Sequence, residues 1–282
     1  MIIPDARITG RTKLFGVVGD PIAHSMSPVI QNLWLAQNGI DAVYAAIHLQ
    51  SPTPADDLRA LARAGYSGLN VSLPHKQAAL AAASRSSPDA KAIGAANTLA
   101  RESDGTWSAH NTDISGFAAA FAQALGNSPK GARVVLVGAG GSARAVVRHL
   151  KEAGAQIAII NRTKDNAVRL AAELAPGAET GDMSALASHA KTCDALVNAA
   201  SLGHAGETLA LPNAPGRTFF DLSYGKAAEP TMRVARDAGW NAHDGLHMLV
   251  LQAAATFEIW HGVRPDTDVG QAAALAELAR RA

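Results

Sequence analysis

A two-domain α/β fold, with a mixed-sheet substrate domain and a doubly wound dinucleotide-binding domain, is predicted by three observations. The chain has 282 residues, more than one core usually holds, and so divides into about two domains that each bury an interior. Apolar runs of strand length alternate with segments of helical spacing from Leu14 onward, the pattern of βα units. The glycine cluster Gly138-Ala139-Gly140-Gly141-Ser142-Ala143 closes the apolar run Val134 to Val137, which places a nucleotide-binding unit in the second half.

The elements follow in order. Leu14 to Gly19 reads as a strand, Pro28 to Gln37 as a helix closed by Gly39, and Val43 to Leu49 as a second strand. Asp56 to Arg63 is a helix ending at Gly65, and Gly68 to Ser72 is a third strand. The next helix is expected to open at Pro74, where a missing N–H costs nothing. Ala95 to Ala100 and Thr106 to His110 flank Ser103-Asp104-Gly105, a hairpin turn, so this sheet is mixed. Ile114 to Leu125 carries Ile114, Phe117, Phe121 and Leu125 on one face and is read as the bridge between domains. Strands at Val134 to Val137, Ile157 to Ile160, Ala195 to Ala199 and Thr218 to Leu222 build the parallel sheet. Leu246, Leu249, Val250, Ala253, Phe257 and Trp260 form a helical stripe that needs a partner surface, for which the first domain is the expected one.

Composition excludes several classes. Net charge is +1 with Lys and Arg dispersed, so no basic stripe favours nucleic acid. No apolar run approaches the roughly 20 residues of a membrane span, and residues 1–7 lack a signal-peptide layout. A single cysteine, Cys193, excludes an internal disulfide and a cysteine metal cluster. These features predict a cytoplasmic protein without membrane or nucleic-acid partners. His243 and His247 have the separation of a zinc helix, but the turn Asp244-Gly245 between them keeps the rings off one helical face, and no metal is expected.

Three segments carry chemistry. The glycine cluster matches the turn that lets a pyrophosphate approach backbone N–H groups at a helix N-terminus. At the end of the next strand, roughly 20 residues on, an acid would bind a free ribose 2′-hydroxyl. This chain has Asn161-Arg162-Thr163-Lys164 there, and a guanidinium suits a 2′-phosphate, so NADP is favoured over NAD. In Ser25-Met26-Ser27-Pro28, Ser27 reads as an N-cap with Ser25 surplus to it. Two hydroxyls beside helix N–H groups also suit a small carboxylate. Asn70, Ser72 and Lys76 stand at a strand end and a first helical turn, where the dipole disfavours a resting cation and suits the amine to acid–base work. Asp113 reads either as an N-cap or as the carboxylate that holds that amine.

Together these motifs resemble the shikimate dehydrogenase family, in order and over almost the whole chain. Ser25 to Pro28 is similar to its Ser-x-Ser-Pro, Gly68 to Lys76 to its Gly-x-Asn-Val-Thr-x-Pro-x-Lys, and Gly94 to Thr98 to its Gly-Ala-x-Asn-Thr. Asn111 to Gly116, Gly138 to Ala143, Asn161 to Thr163 and Gly245 to Gln252 resemble four further family segments. The resemblance implies reversible NADPH-dependent reduction of 3-dehydroshikimate to shikimate, in aromatic amino-acid biosynthesis, by a monomer or homodimer. It implies Lys76 and Asp113 as catalytic residues, Lys76 passing the proton. Ser25 and Ser27 would hold the carboxylate, Asn70, Ser72, Asn97, Asp113 and Gln252 the ring hydroxyls, and Tyr224 would line the pocket. The cofactor would meet Gly138, Ala139, Gly140, Gly141, Ser142 and Ala143, then Asn161, Arg162, Thr163 and Lys164, with Gly245 and Met248 at the nicotinamide. It implies a Rossmann-type NADP domain at 114–248 and a substrate-binding catalytic domain at 1–113 plus 249–282, the C-terminal helices returning to the first domain.

Departures from the family pattern are Ser72 for Thr, Gln31 for His, Asn166 for a second clamp arginine, His204 for Met, and Gly225-Lys226 in place of a proline-bearing segment. They leave a quinate/shikimate dehydrogenase with relaxed cofactor use as the nearest alternative. A non-catalytic dinucleotide sensor is the alternative from another class, and it has no use for Lys76 and Asp113. A glutamyl-tRNA reductase type of enzyme would need a reactive cysteine, whereas Cys193 precedes a buried strand.

Overall fold

The computed structural model describes residues 8–281. Residues 1–7, where the absence of a signal peptide was read, and the side chain of His204 lie outside the described residues. The chain forms two compact units, Met1–Thr112 with Val250–Ala282, and Asp113–Leu249.

The first unit contains β1 (Lys13–Gly19), α1 (Ser27–Gln37), β2 (Ala42–His48), α2 (Pro54–Arg63), β3 (Tyr66–Val71) and α3 (Lys76–Ala82). It continues with β4 (Arg85–Ser86), α4 (Pro88–Ile93), β5 (Thr98–Arg101) and β6 (Trp107–His110). Its sheet runs β2-β1-β3-β5-β6-β4. The β1 pairings are parallel, while β5 pairs antiparallel with β3 and β6. One face buries Val18, Leu58, Leu69, Val71, Leu99 and Trp107, and the Trp107 indole N–H donates to Leu58 O at 2.7 Å. Removing such apolar surface from water is the main drive for the layer.

The second unit contains α5 (Asp113–Leu125), β7 (Arg133–Val137), α6 (Gly141–Glu152), β8 (Gln156–Ile160), α7 (Lys164–Leu174), β9 (Glu179–Gly181), α8 (Leu186–Ala190), β10 (Ala195–Asn198), β11 (Thr218–Asp221), α9 (Glu229–Asp237) and β12 (Asn241–His243). Its order, β12-β11-β10-β7-β8-β9, is parallel throughout. Strand order reverses beside β7, so the ends of β7 and β10 form the switch point where doubly wound sheets bind ligands. Val135, Ile160, Leu196, Phe219 and Trp240 pack one face. On the other, Phe117 and Phe121 of α5 stack at 4.9 Å and meet Phe220 edge-on.

The helix α10 (Leu246–His261) is continuous across the division after Leu249, and α11 (Thr267–Arg281) closes the first unit. The part of the predicted apolar stripe from Val250 onward packs within the first unit, while Leu246 and Leu249 belong to the second. Phe257 meets Trp34 at 5.8 Å and Trp260 meets Phe15 at 4.9 Å. A Cβ on Gly68 would lie 2.5 Å from the Trp260 ring, so only glycine lets α10 sit this close to β3. Gln31 donates to Ala253 O at 3.1 Å, which makes that departure a packing device between α1 and α10.

Three expectations are corrected. The helix read from Pro74 starts at Lys76, because residues 73–75 form a turn. The strand read from Ala95 starts at Thr98, since Ala95 N donates back to Ala90 O at the end of α4. The helix read as the bridge lies in the second unit, as the expected 114–248 domain has it, with its phenylalanines buried, but its first residue is Asp113. Asp113 and Leu249 thus fall in the second unit rather than with the first.

Candidate functional site

In the first unit, the polar residues picked from sequence collect at the ends of β1, β3, β5 and β6. The loop after β1 leads into α1, where Ser25 and Ser27 are 7% and 4% exposed. Ser27 is not the cap. It is already helical, Met26 holds the cap position without a side-chain bond, and the Ser27 N–H donates to Ser25 Oγ at 3.2 Å, so Ser25 satisfies one orphan donor of the first turn. Ser72 is half-buried just past β3. Next in line, His75 donates its ring N–H to Leu49 O at 2.8 Å, fixing the turn before α3. Lys76 is 8% exposed, unusual for a residue type that seldom leaves water. Its carbonyl accepts from Ala96 N at 2.9 Å.

Asn70 is bound at both ends of its amide. Its oxygen accepts from the Tyr44 hydroxyl at 2.7 Å, and its NH2 donates to Asn97 O, Thr98 Oγ1 and Thr256 Oγ1 at 3.2, 3.3 and 3.2 Å. Asn97 can be oriented without ambiguity. The Thr112 backbone N–H can only donate, and it lies 2.8 Å from Asn97 Oδ1, so the Asn97 NH2 is the end that donates to Gln252 Oε1 at 3.1 Å and Thr112 Oγ1 at 2.9 Å. Gln252 therefore gives its oxygen to this scaffold.

The sequence reading missed four members of this network, Tyr44, Thr98, Thr112 and Thr256. Thr98 and Thr112 stand inside motifs already singled out, and Thr256 follows Gln252 by one helical turn, so spacing held a signal for three of them. Tyr44 carried none, since it looks like any aromatic in a strand.

In the second unit, Gly138 ends β7 with φ of +112°, and a Cβ there would lie 2.9 Å from the Ala199 backbone. Both facts restrict the position to glycine and keep the turn close to the sheet. Gly140 precedes α6 and Ala143 is fully buried beneath its first turn, so the glycine turn leads straight into a helix N-terminus, the kind of place that suits an anion. The Asn161 side chain donates to Thr163 O at 2.9 Å and shapes the turn into α7, on which Arg162, Thr163 and Lys164 are exposed. These features fit a dinucleotide with a 2′-phosphate. Tyr224 is half-buried after β11, and Gly245 donates to Ser223 O at 2.8 Å. Tyr224, Gly245 and Met248 all belong to this unit, whereas the other proposed substrate residues belong to the first. His243 lies on β12 and His247 on α10, so they do not share a helix. Burial pushes the Cys193 thiol up to about 11, which leaves no thiolate for nucleophilic attack at neutral pH.

Asp221, 1% exposed at the end of β11, accepts from Asn198 Nδ2 at 2.9 Å and Ser223 N at 2.8 Å. Burial outweighs these bonds and pushes its carboxyl up to about 6, from an ordinary 3.8. An acid that holds its proton more tightly when folded contributes stability below its unfolded value that is lost as pH rises through its folded one. The window is pH 3.8 to about 6, and the loss amounts to about 3 kcal/mol at most. Urea unfolding at about pH 4.5 and about pH 7 is expected to show a smaller change with pH in Asp221→Asn than in the parent. Identical changes would contradict the assignment.

Three family models match successive stretches: a shikimate dehydrogenase substrate binding domain at residues 17–99, a shikimate / quinate 5-dehydrogenase model at 120–230, and a shikimate 5'-dehydrogenase C-terminal domain at 245–275. The shikimate dehydrogenase (NADP(+)) of Hyphomonas neptunium is 46% identical over 256 residues, 90% of this chain and 94% of the relative. The crystal structure of a shikimate dehydrogenase in complex with NADP+ superposes with a TM-score of 0.84 at 29% identity, covering 96% of this chain and 98% of that one. The Thermus thermophilus enzyme in complex with shikimate gives 0.79 at 34% identity, covering 95% and 99%. No helix among the described residues is long and apolar enough to cross a membrane.

Proposed function

Because the chain belongs to the shikimate dehydrogenase family, we propose that it catalyses the reversible NADPH-dependent reduction of 3-dehydroshikimate to shikimate, with Lys76 and Asp113 as its catalytic residues. The observation that carries this reading is a buried lysine in the same unit as a network of amides and hydroxyls suited to a polyhydroxylated ring. When bound, NADPH supplies the hydride. Lys76 gives its proton to the C3 oxygen, and its ammonium stabilises the alkoxide developing there; in the reverse direction the neutral amine takes the proton back. Asp113 orients the amine and the ring. Ser25 and Ser27 bind the substrate carboxylate with hydroxyl donors, beside the first turn of α1.

Asn70, Ser72, Asn97 and Gln252 bind ring hydroxyls, and Tyr224 lines the pocket. The turn Gly138 to Ala143 holds the pyrophosphate on backbone N–H groups, Asn161 to Lys164 hold the adenine ribose phosphate, and Gly245 with Met248 face the nicotinamide. The absence of an internal disulfide fits work in the cytoplasm. Initial rates of cofactor reduction with shikimate and quinate, each paired with NADP and NAD, test the reading. Shikimate with NADP is expected to be the fastest pair. No turnover of shikimate with either cofactor would contradict the function, and a preference for quinate with NAD would favour the degradative relative.

A further inference from the structure

Among the residues around the amides, Thr256 ties α10 to β3, β5 and the segment after β6. It is fully buried on α10, and its hydroxyl lies 3.2 Å from Asn70 Nδ2 on β3, 2.9 Å from Thr98 Oγ1 on β5 and 3.1 Å from Thr112 Oγ1 after β6. A hydroxyl donates once and accepts twice. The Asn70 NH2 can only donate, so Thr256 accepts from it, then receives one proton from one threonine and passes its own to the other. Three neighbours saturate it.

The two possible senses end at different amides. If Thr98 donates to Thr256 and Thr256 to Thr112, the Thr112 proton goes on to Gln252 Oε1 at 3.3 Å or Asn97 Oδ1 at 3.2 Å. If Thr112 donates to Thr256 and Thr256 to Thr98, the Thr98 proton goes to Asn97 Oδ1 at 3.0 Å. Either way the string through Thr256 terminates on an amide that the proposed function gives to substrate. Thr256 also follows Gln252 by four residues, so both project from one face of α10, and fixing the first fixes the rotation that aims the second.

We propose that Thr256 is a positioning residue for substrate, holding the amides of Gln252 and Asn97 in their binding orientation. This rests on the reading that those two amides bind shikimate. The test compares the full-length parent with Thr256→Val, which exchanges the hydroxyl for a methyl group, and with Thr256→Ser, which keeps the hydroxyl. Melting temperature, kcat, and KM for shikimate and for NADP are measured for each.

In Thr256→Val the KM for shikimate is expected to rise roughly five- to tenfold, the scale of one buried hydrogen bond. The kcat should change by less than about threefold and the KM for NADP should stay at the parental value, with Thr256→Ser returning the shikimate KM to within about twofold of the parent. Thr256→Ala serves the same comparison if the valine folds poorly. A parental KM for shikimate in the hydroxyl-free variants overturns the inference. So does a joint rise in both KM values tracking the melting temperature, or a serine that restores nothing. A parent that leaves shikimate untouched overturns the functional reading, and this inference with it.

Discussion

Replacing Arg162 with alanine is expected to raise the KM for NADPH by about 10- to 100-fold, the range for losing charge-assisted hydrogen bonds to a phosphate. The KM for NADH should move by less than about twofold, because no phosphate is present for the guanidinium to bind. The expectation follows from position. Arg162 leaves the end of β8 one residue after Asn161, whose side chain pins the turn, and it is exposed. Lys164, at the start of α7, is exposed as well. Asn166 supplies no second guanidinium, so Lys164 shares the charge as a single point rather than a fork, and some NADP preference should survive in the Arg162 variant. Steady-state kinetics with both cofactors read this directly. Equal losses for NADPH and NADH would show that Arg162 supports the loop rather than reading the phosphate.

Much of this was legible in the sequence because the physics is local. The strand β7, its glycine turn and α6 follow from an apolar run, a position that must be glycine and a helical period, all within twenty residues of Arg133. The two-domain division followed from length and from where that unit begins. What escaped was decided at long range or in short pieces. The strands β4, β9 and β12 have 2, 3 and 3 residues, too few for any periodicity to register. The start of α3 at Lys76 rather than Pro74 depends on how residues 73–75 turn after β3.

The site divides the same way. Ser25, Ser27, Asn70 and Lys76 stood out by residue type beside a strand end or helix start, whereas Asn97 came only from the family resemblance. Which serine serves the first turn of α1, and that Asn70 and Asn97 are both tied into an internal network, is set by partners up to 186 residues away. Thr256 in particular looks like an ordinary position on an apolar helix until its three neighbours are in place.

Replacing Lys76 with alanine is expected to have the larger effect on the reaction itself, lowering kcat by about 10²- to 10⁴-fold, the usual contribution of a positioned acid–base group. Its burial gives the reason. A lysine 8% exposed has given up hydration, and a proton donor held beside the substrate replaces bulk water in a step that water serves poorly. The residue heads α3 in the first unit, while Gly138 to Ala143 and Arg162 belong to the second, so the substitution should leave NADPH affinity within about twofold of the parent. Lys76→Met, which keeps most of the side-chain volume, separates loss of the amine from loss of packing. The most direct test mixes protein carrying bound NADPH with 3-dehydroshikimate and follows NADPH consumption over a single turnover. The parent should consume its cofactor rapidly, and Lys76→Ala and Lys76→Met should bind NADPH normally yet consume it orders of magnitude more slowly; consumption at the parental rate in either variant would contradict the assignment of Lys76 as the proton donor.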